Sequence, residues 1–326
     1  MGKDSGIEWT KHTFNPWSGC EKVSPGCAHC YAAALPPGMR RHAEWGKDRP
    51  RVMASESYWS QPLAWDRAAK KVGERHRVFC ASTADVFEAR EDLDGARSRL
   101  FDLMYETPHL DWLLLTKRPE YAVAWWSRQT GQAWPTNAWI GTSVENQAAA
   151  DERIPHLLRI PARVRFLSCE PLLGAVNLDE PTCPYCGRKG DNIDMADDGA
   201  TPWCVECENE AAFGTILDPC ADERQPGINW VIVGGESGRH ARPMHPDWAR
   251  SLRDQCVGAG VPFFFKQWGE WAPRAMPWDV DYEATAVPSG LPHWTEAGGV
   301  HAMIRVGKAA AGRLLDGREW SEVPRG

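Results

Sequence analysis

The sequence predicts an α/β protein built as a complete or partial (β/α) barrel of the TIM-like kind, with an open doubly wound sheet as the alternative. Six short, nearly continuous apolar runs are spaced along the chain, as is typical of strands buried on both faces. Stretches with helical periodicity lie between them, and strands that alternate with helices form parallel βαβ units. A seventh strand is expected near the N-terminus.

The predicted strands share an apolar centre with polar or turn residues at their ends. They are 77–82 (RVFCAS), 112–117 (WLLLTK), 139–144 (WIGTSV), 164–169 (VRFLSC), 229–234 (NWVIVG) and 262–266 (PFFFK). Two helices are the clearest. One has Leu93, Ala96, Leu100 and Met104 at helical spacing before Pro108, and the other has Trp248, Leu252 and Cys256 on one face before Gly258 and Gly260.

The predicted barrel is divided by an insertion. Residues 1–178 form its N-terminal part with the first cysteine cluster, and residues 226–275 form its C-terminal part. Residues 179–225 contain no strand or helix runs, only Pro, Gly, Asp and paired cysteines, and we interpret them as a zinc-ribbon-like insertion. Residues 276–326 are a Gly/Pro-rich extension with a short amphipathic piece at 309–315, which we expect to pack on the barrel.

Composition excludes several classes of protein. The 326 residues contain no apolar run of 18, so no transmembrane helix and no membrane partner are expected. The N-terminal MGKDSGIEW has no apolar leader, which favours a cytoplasmic protein. Eleven cysteines without an export signal indicate metal or redox chemistry. The net charge of −7 argues against a protein that coats phosphates generally, but leaves room for a local basic patch.

Cys20, Cys27 and Cys30 form a C-x6-C-x2-C cluster. Three neighbouring thiolates can hold three irons of a [4Fe–4S] cluster and leave the fourth iron open to another ligand. A zinc site with His29 or His42 as the fourth ligand is the alternative. The spacing alone does not decide between them.

Cys183, Cys186, Cys204 and Cys207 form a C-x2-C-x17-C-x2-C pattern, the spacing of a zinc ribbon. Four thiolates would complete a tetrahedral, structural site. The segment has too few apolar residues to fold unaided, so the metal would supply its folding energy. An auxiliary iron–sulfur cluster is the rival interpretation.

Polar residues follow the predicted strands, where the active site of a (β/α) barrel collects. They are Ser82, Thr83, Asp85, Lys117, Arg118, Glu145, Glu170, Glu236, Ser237, Lys266 and Gln267. The candidate catalytic residues among them are Glu145, Glu170, Glu236 and Lys266, with no role assigned. Gly234 and Gly235 are expected to let the backbone approach a ligand closely. The alternative is that these residues cap helices or form ion pairs across the barrel mouth.

Several segments, read in order from Ile7 to about Trp271, resemble an uncharacterised phage and bacterial protein family that is grouped with the radical S-adenosylmethionine (SAM) superfamily. They are IEWT, FNPWSGCEKVSPGCAHCYA, VFCASTADVFE, LLLTKRPE, WIGTSVENQ, RFLSCEPLLG, WVIVGGESG and FFFKQWGEW, and GRLLDGREW near the C-terminus also resembles the family. The resemblance implies a partial barrel of the radical SAM type with a [4Fe–4S] cluster on Cys20, Cys27 and Cys30. SAM would bind the open iron, and Tyr31 would be the aromatic residue beside the last cysteine.

The implied reaction is reductive cleavage of SAM by an electron from a donor such as flavodoxin or ferredoxin, followed by hydrogen abstraction from a substrate. Radical SAM enzymes often bind the SAM amine with a GGE sequence after the second strand. Here GGE follows a late strand, so that role is not transferred to Glu236. Ser82, Thr83 and Asp85 occupy the second-strand position and are the predicted SAM contacts.

A basic stretch follows the first cluster, with Arg40, Arg41, His42, Lys47, Arg49 and Arg51 around Trp45. Arginine beside an aromatic residue suits nucleic acid, although such a run is usually a solvated surface. The family resembled is common in phages, and by that analogy alone modification or repair of a nucleic-acid base is our candidate reaction, with which the basic stretch is compatible. Two alternatives remain: a non-catalytic zinc protein that binds nucleic acid or a partner, and an iron–sulfur protein that does not cleave SAM.

Overall fold

The computed structural model describes residues 6–129, 131–179, 193–195, 202–204, 209–210, 216–217, 227–273, 293–296 and 299–324. A seven-stranded parallel sheet curls into a half-barrel at its centre. Its strands are β1 (His12–Thr13), β2 (His76–Cys80), β3 (Leu110–Thr116), β4 (Ala138–Ser143), β5 (Arg165–Cys169), β6 (Trp230–Gly234) and β7 (Phe263–Gln267).

The strands follow one another across the sheet in sequence order. A doubly wound sheet reverses its order at a switch point, so this alternative is wrong. The six predicted strands differ from the observed ones by at most two residues at either end. The seventh strand is present near the N-terminus as β1, which has only two residues.

In the part of the chain that the structure describes, five helices of eight residues or more lie between the strands. They are α1 (Gln61–Val72), α2 (Asp94–Glu106), α3 (Pro119–Trp126), α4 (Gln147–Leu158) and α5 (Pro246–Ala259). The two helices that the periodicity predicts are α2 and α5. Gly258 lies inside α5, and Gly260, with a φ of 69°, ends it in the left-handed conformation that favours glycine.

The sheet buries apolar side chains on both faces. The outer face, with residues such as Val78, Leu114 and Ile140, belongs to a large core that includes helix residues. The inner face forms a second cluster rich in aromatic rings, with Trp9 packed edge-on against Phe79 at 4.9 Å between ring centroids. The large rings fill the half-barrel below the ends of the strands.

The insertion has more regular structure than the sequence predicts. Three short antiparallel strands, Ile193–Met195, Pro202–Cys204 and Asn209–Glu210, lie within 179–225, where the sequence shows no strand runs. Strands of two or three residues are too short to produce a recognisable alternation of polar and apolar residues. Within the same segment, Ile216 is buried in the main core, and its amide donates to the Leu178 carbonyl at 3.2 Å.

The C-terminal extension lies against the barrel where the structure describes it. The amphipathic piece at 309–315 divides into a helical turn, Lys308–Ala311, and a strand, Leu314–Leu315, which pairs with Arg318–Glu319. The amide of Phe265 in β7 then donates to the Trp320 carbonyl at 3.0 Å. Ahead of these elements, Gly299–Arg305 pairs with Trp271–Pro273 and His293–Glu296.

Short elements surround the first cysteine cluster. They are the strands Trp17–Ser18 and Val52–Met53, the 3-10 turns Pro25–Cys27, Pro37–Arg40 and Glu91–Leu93, and the helical turns Tyr31–Ala34 and Glu56–Trp59. None of the helices in the described ranges is long and apolar enough to cross a bilayer.

Candidate functional site

A cavity of about 540 Å³ opens at the carboxyl ends of the strands. One wall is the cysteine loop, which we define as residues 20–31, and the other walls are the residues that follow β2, β3, β5, β6 and β7. Trp9, Phe79 and Leu115 form an apolar part of its floor. Its volume lies in the range of small-molecule sites, and its position is that of a barrel active site.

All three cysteines of the first cluster line this cavity as free thiols. Ser24 Oγ lies 3.7 Å from Cys27 Sγ, and an Arg118 guanidinium nitrogen lies 3.9 Å from Cys20 Sγ. Burial, together with the nearby Asp85 carboxylate, raises the pKa of the Cys20 thiol to about 12 despite Arg118. Among the described residues, no three or more His, Cys, Asp or Glu side chains are arranged to hold a metal ion as they stand.

Glu145, which follows β4, holds one side of the cysteine loop. Its carboxylate is 1% exposed and accepts hydrogen bonds from Ser24 Oγ at 2.7 Å and from Arg153 at 2.8 Å. Burial raises its pKa, but Lys117, Arg153 and the Ser24 hydrogen bond outweigh burial, so the pKa is lowered. Gly26 packs directly on this carboxylate, since a Cβ there would lie 2.3 Å from Oε1.

Glu236, which follows β6, holds the other side of the loop. Its carboxylate lies 3.1 Å from His29 Nδ1 and accepts from the Arg242 side chain at 2.6 and 2.9 Å. Arg242 in turn donates to the Pro25 carbonyl at 3.0 Å. Burial raises the pKa of Glu236, but the hydrogen bonds from Arg242 and His29 lower it further than burial raises it. Both candidate acids therefore hold the loop.

Asp85 fixes Arg118 next to the first cysteine. Its two carboxylate oxygens accept from Thr116 Oγ1 and from three N–H groups, those of the Phe87 and Lys117 backbone and of the Arg118 side chain, at 2.7 to 3.0 Å. Arg118 also donates to the Glu21 carbonyl at 3.0 Å. Asp85 lines the cavity, as expected for a SAM contact, but its acceptors already have donors within the chain.

Ser82 and Thr83 also line the cavity and also have partners. Asn15 Nδ2 donates to Ser82 Oγ at 3.0 Å, and the hydroxyls of Thr83 and Ser18 lie 3.0 Å apart. The Tyr31 hydroxyl donates to the Ser82 carbonyl at 3.0 Å, which ties the end of the cysteine loop to β2. Nothing in the sequence around Asn15 indicated this contact.

Glu170 and Lys266 line the cavity on the side of β5 and β7. The Lys266 ammonium donates to Glu170 Oε2 at 2.8 Å, and Gln267 Nε2 donates to Oε1 at 2.9 Å. With the Lys117–Glu145 contact at 3.5 Å, this is the ion pairing across the mouth that was the alternative for these residues. Ser237 accepts from the same Gln267 amide.

The two glycines after β6 lie close to residues of the neighbouring strands. A Cβ on Gly234 would lie 3.1 Å from the Glu170 carboxyl group, and one on Gly235 would lie 1.9 Å from the Trp268 carbonyl oxygen. Both positions therefore require glycine because of close neighbours within the protein, and Gly235 also lines the cavity, so the approach of a ligand to this backbone stays a prediction.

Two residues that sequence reasoning missed lie on the cavity floor. Ser143 and Ser168 belong to the buried parts of β4 and β5 and line the cavity. They lie within predicted strands, four residues after Trp139 and two after Phe166. The two-residue period of a strand, followed from those aromatic residues, would have placed both serines on the inner face.

Four arginines of the basic stretch bind other residues of the same chain. Arg51 is buried and makes a bidentate pair with Glu88, with Nε donating to Oε2 at 2.7 Å. Arg41 donates to Ser18 Oγ and lies over the Tyr58 ring, and Arg49 pairs with Glu44 on the surface. Arg40 donates to the Leu35 carbonyl. Arg51 is therefore a buried structural residue, whereas Arg49 lies on a solvated surface, as the alternative interpretation predicts.

The second cysteine cluster falls outside what the structure describes. Cys183, Cys186 and Cys207 are not among the described residues, and for Cys204 only its backbone place at the end of a short strand is defined. The prediction of a zinc site on these four residues therefore rests on their spacing.

No curated protein and no solved structure matches the chain. A family model with the description "protein of unknown function (DUF5131)" matches residues 4–324. Because this match covers nearly the whole chain, the protein belongs to the DUF5131 family.

Proposed function

We propose that the protein is a radical SAM enzyme that carries a [4Fe–4S] cluster on Cys20, Cys27 and Cys30 and abstracts hydrogen from its substrate, a nucleic-acid base being the candidate. One observation carries the proposal. Three free thiols of a single loop line a cavity of about 540 Å³ at the carboxyl end of a parallel half-barrel. The argument from position is general for (β/α) barrels, whose chemistry takes place at this end.

The donor set suits the cluster. Three thiolates can ligate three irons and leave the fourth for SAM, and the Arg118 guanidinium beside Cys20 suits the negative charge that thiolate ligands bring. Because the thiols are not arranged as a metal site as they stand, the proposal requires the loop to draw them together on loading. The two carboxylates that hold the loop set limits to that movement.

When bound, the cluster supplies the electron that cleaves SAM reductively and so generates the radical that takes hydrogen from the substrate. The residues of this chain would bind SAM and shield the reaction from water. Trp9, Phe79 and Leu115 keep the floor apolar and exclude water. Ser82 and Thr83 form the wall proposed to contact SAM, and Asp85, with all its acceptors used, is assigned to positioning Arg118.

Two further parts of the proposal rest on the sequence. Cys183, Cys186, Cys204 and Cys207 are proposed to bind zinc, on the strength of their spacing. Reduction of the cluster would need an electron donor such as flavodoxin or ferredoxin. The zinc site and the identity of the electron donor can each be wrong without affecting the reaction proposed at the first cluster.

The test is anaerobic. The protein is reconstituted with iron and sulfide, reduced with dithionite and mixed with SAM, and 5′-deoxyadenosine is measured by mass spectrometry. Formation above that of a Cys20/Cys27/Cys30 triple-alanine variant is the expected result. Zinc in place of iron at the first cluster would contradict the proposal and favour a non-catalytic zinc protein.

A further inference from the structure

The inner face of the half-barrel changes from apolar to hydroxylic just below the strand ends. Trp139 and Phe166 belong to the inner aromatic cluster, and Ser143 and Ser168 follow them on the same face. Ser143 and Ser168 are direct partners across β4 and β5. Neighbouring strands lie about 4.8 Å apart, so the two side chains can act on one ligand group.

These two hydroxyls are not used by the described part of the protein. Ser143 is 1% and Ser168 3% exposed, both line the cavity, and neither hydroxyl has a hydrogen-bond partner among the described residues. The two residues line the cavity, so their hydroxyls are open to a molecule bound there. Two neighbouring hydroxyls at the floor of a cavity are therefore available to bind a polar group of a ligand.

A cation without a carboxylate of its own stands next to the pair. Thr116 of β3 pairs with Thr142 of β4, which sets Lys117 beside Ser143 across the strands. Lys117 lines the cavity and shares Glu145 with Arg153, and its ammonium remains 3.5 Å from that carboxylate while Arg153 makes the 2.8 Å hydrogen bond.

The other cations at the strand ends are matched one to one. Arg118 pairs with Asp85 at 2.9 Å, and Lys266 pairs with Glu170 at 2.8 Å. At Glu145, two cations meet one carboxylate. Of the two, the Lys117 ammonium is the less closely paired, and Lys117 lines the same cavity as the two serines.

We propose that Lys117, Ser143 and Ser168 form a subsite for an oxyanion group, a carboxylate or a phosphate, of a small ligand bound in the cavity. One ammonium and two hydroxyl donors satisfy such a group, and hydrogen bonds to an ionised acceptor are the stronger kind. The subsite goes beyond the proposed reaction and does not depend on a metal at the cysteine loop, so it can be tested whether or not that proposal holds.

The test uses the full chain without added iron, at constant ionic strength. Binding is followed by the ³¹P line width of inorganic phosphate and by saturation transfer to the methyl protons of acetate. We expect the wild type to bind at least one of the two anions, and the preferred anion to distinguish a phosphate from a carboxylate ligand. Lys117→Met should weaken binding about tenfold or more, and the Ser143→Ala/Ser168→Ala double variant by about three- to tenfold.

Lys71→Met, which removes an exposed lysine of α1, is the matched control and should bind like the wild type. Lys117→Arg keeps the charge and should retain most of the affinity. If Lys117→Met does not fold by circular dichroism, the double serine variant decides the matter, and wild-type binding by it overturns the proposal. The proposal is overturned if Lys117→Met and the double serine variant bind like the wild type, or if the wild type binds neither anion.

Discussion

The Ser24 hydroxyl donates a 2.7 Å hydrogen bond to the Glu145 carboxylate, across 121 positions of sequence. This contact joins the cysteine loop to the end of β4. The Glu236 carboxylate does the same on the side of β6, through His29 and Arg242. The loop is therefore held at two places by acids that belong to the barrel, and its three thiols face the cavity between them.

A double-mutant cycle measures the first of these contacts. Ser24→Ala, Glu145→Gln and the double variant are compared by urea unfolding. We expect a coupling free energy of about 1 to 3 kcal/mol, because the bond is partly buried and its acceptor is charged. Additive effects of the two substitutions would show that the bond does not hold the loop.

Gly26→Ala tests the close approach of the loop to Glu145. A Cβ at this position meets the carboxylate at 2.3 Å, so either the loop or Glu145 must move. We expect a loss of about 1 to 3 kcal/mol in the free energy of unfolding. Gly38→Ala is the control, since a Cβ there meets no atom within 4 Å, and it should leave stability within about 0.5 kcal/mol of the wild type.

The two acids also predict how stability depends on pH. Both Glu145 and Glu236 have a pKa that is lowered in the folded protein. Their contribution is complete above the unfolded glutamate pKa of about 4.3 and is lost as the pH falls through the lower folded values. The free energy of unfolding of the Glu145→Gln/Glu236→Gln variant should therefore fall less steeply below about pH 4.3 than that of the wild type. Parallel curves would contradict this.

Arg51 and Arg49 allow a matched comparison within the basic stretch. Arg51 and Glu88 are buried, whereas Arg49 and Glu44 are each about 60% exposed. Arg51→Met should cost about 3 to 5 kcal/mol because it leaves the Glu88 carboxylate buried without its cation. Arg49→Met should cost at most about 1 kcal/mol. Thermal unfolding of both variants checks the difference, and equal effects would refute the structural assignment of Arg51.

Metal analysis separates the two proposed metal sites. Cys27→Ala should lose iron and the visible absorption of the cluster while it retains zinc, and Cys204→Ala should lose zinc while it retains iron. Each substitution removes one thiolate from only one of the two sets. Loss of iron in both variants would contradict the assignment of zinc to the second cluster.

The central sheet was predictable because the sequences of buried parallel strands are continuous apolar runs, as in 229–234 for β6. The two residues of β1 and the short strands around Cys204 carry no such pattern. The residues that line the cavity were predictable from the strand ends, but the hydrogen-bond partners of the cysteine loop were not. Ser24 and Glu145, or Pro25 and Arg242, are too far apart in sequence for any local pattern to connect them.

The last residues of the described chain have a consequence for solubility. An open parallel sheet ends in a strand whose N–H and C=O groups invite pairing with another molecule. At β7 the Trp320 carbonyl and the Glu322 amide take up two of those groups, on Phe265 and Phe263. This segment therefore covers the edge of the sheet. Its removal would expose the phenylalanines and free backbone groups of β7, and we expect the protein to self-associate through that edge.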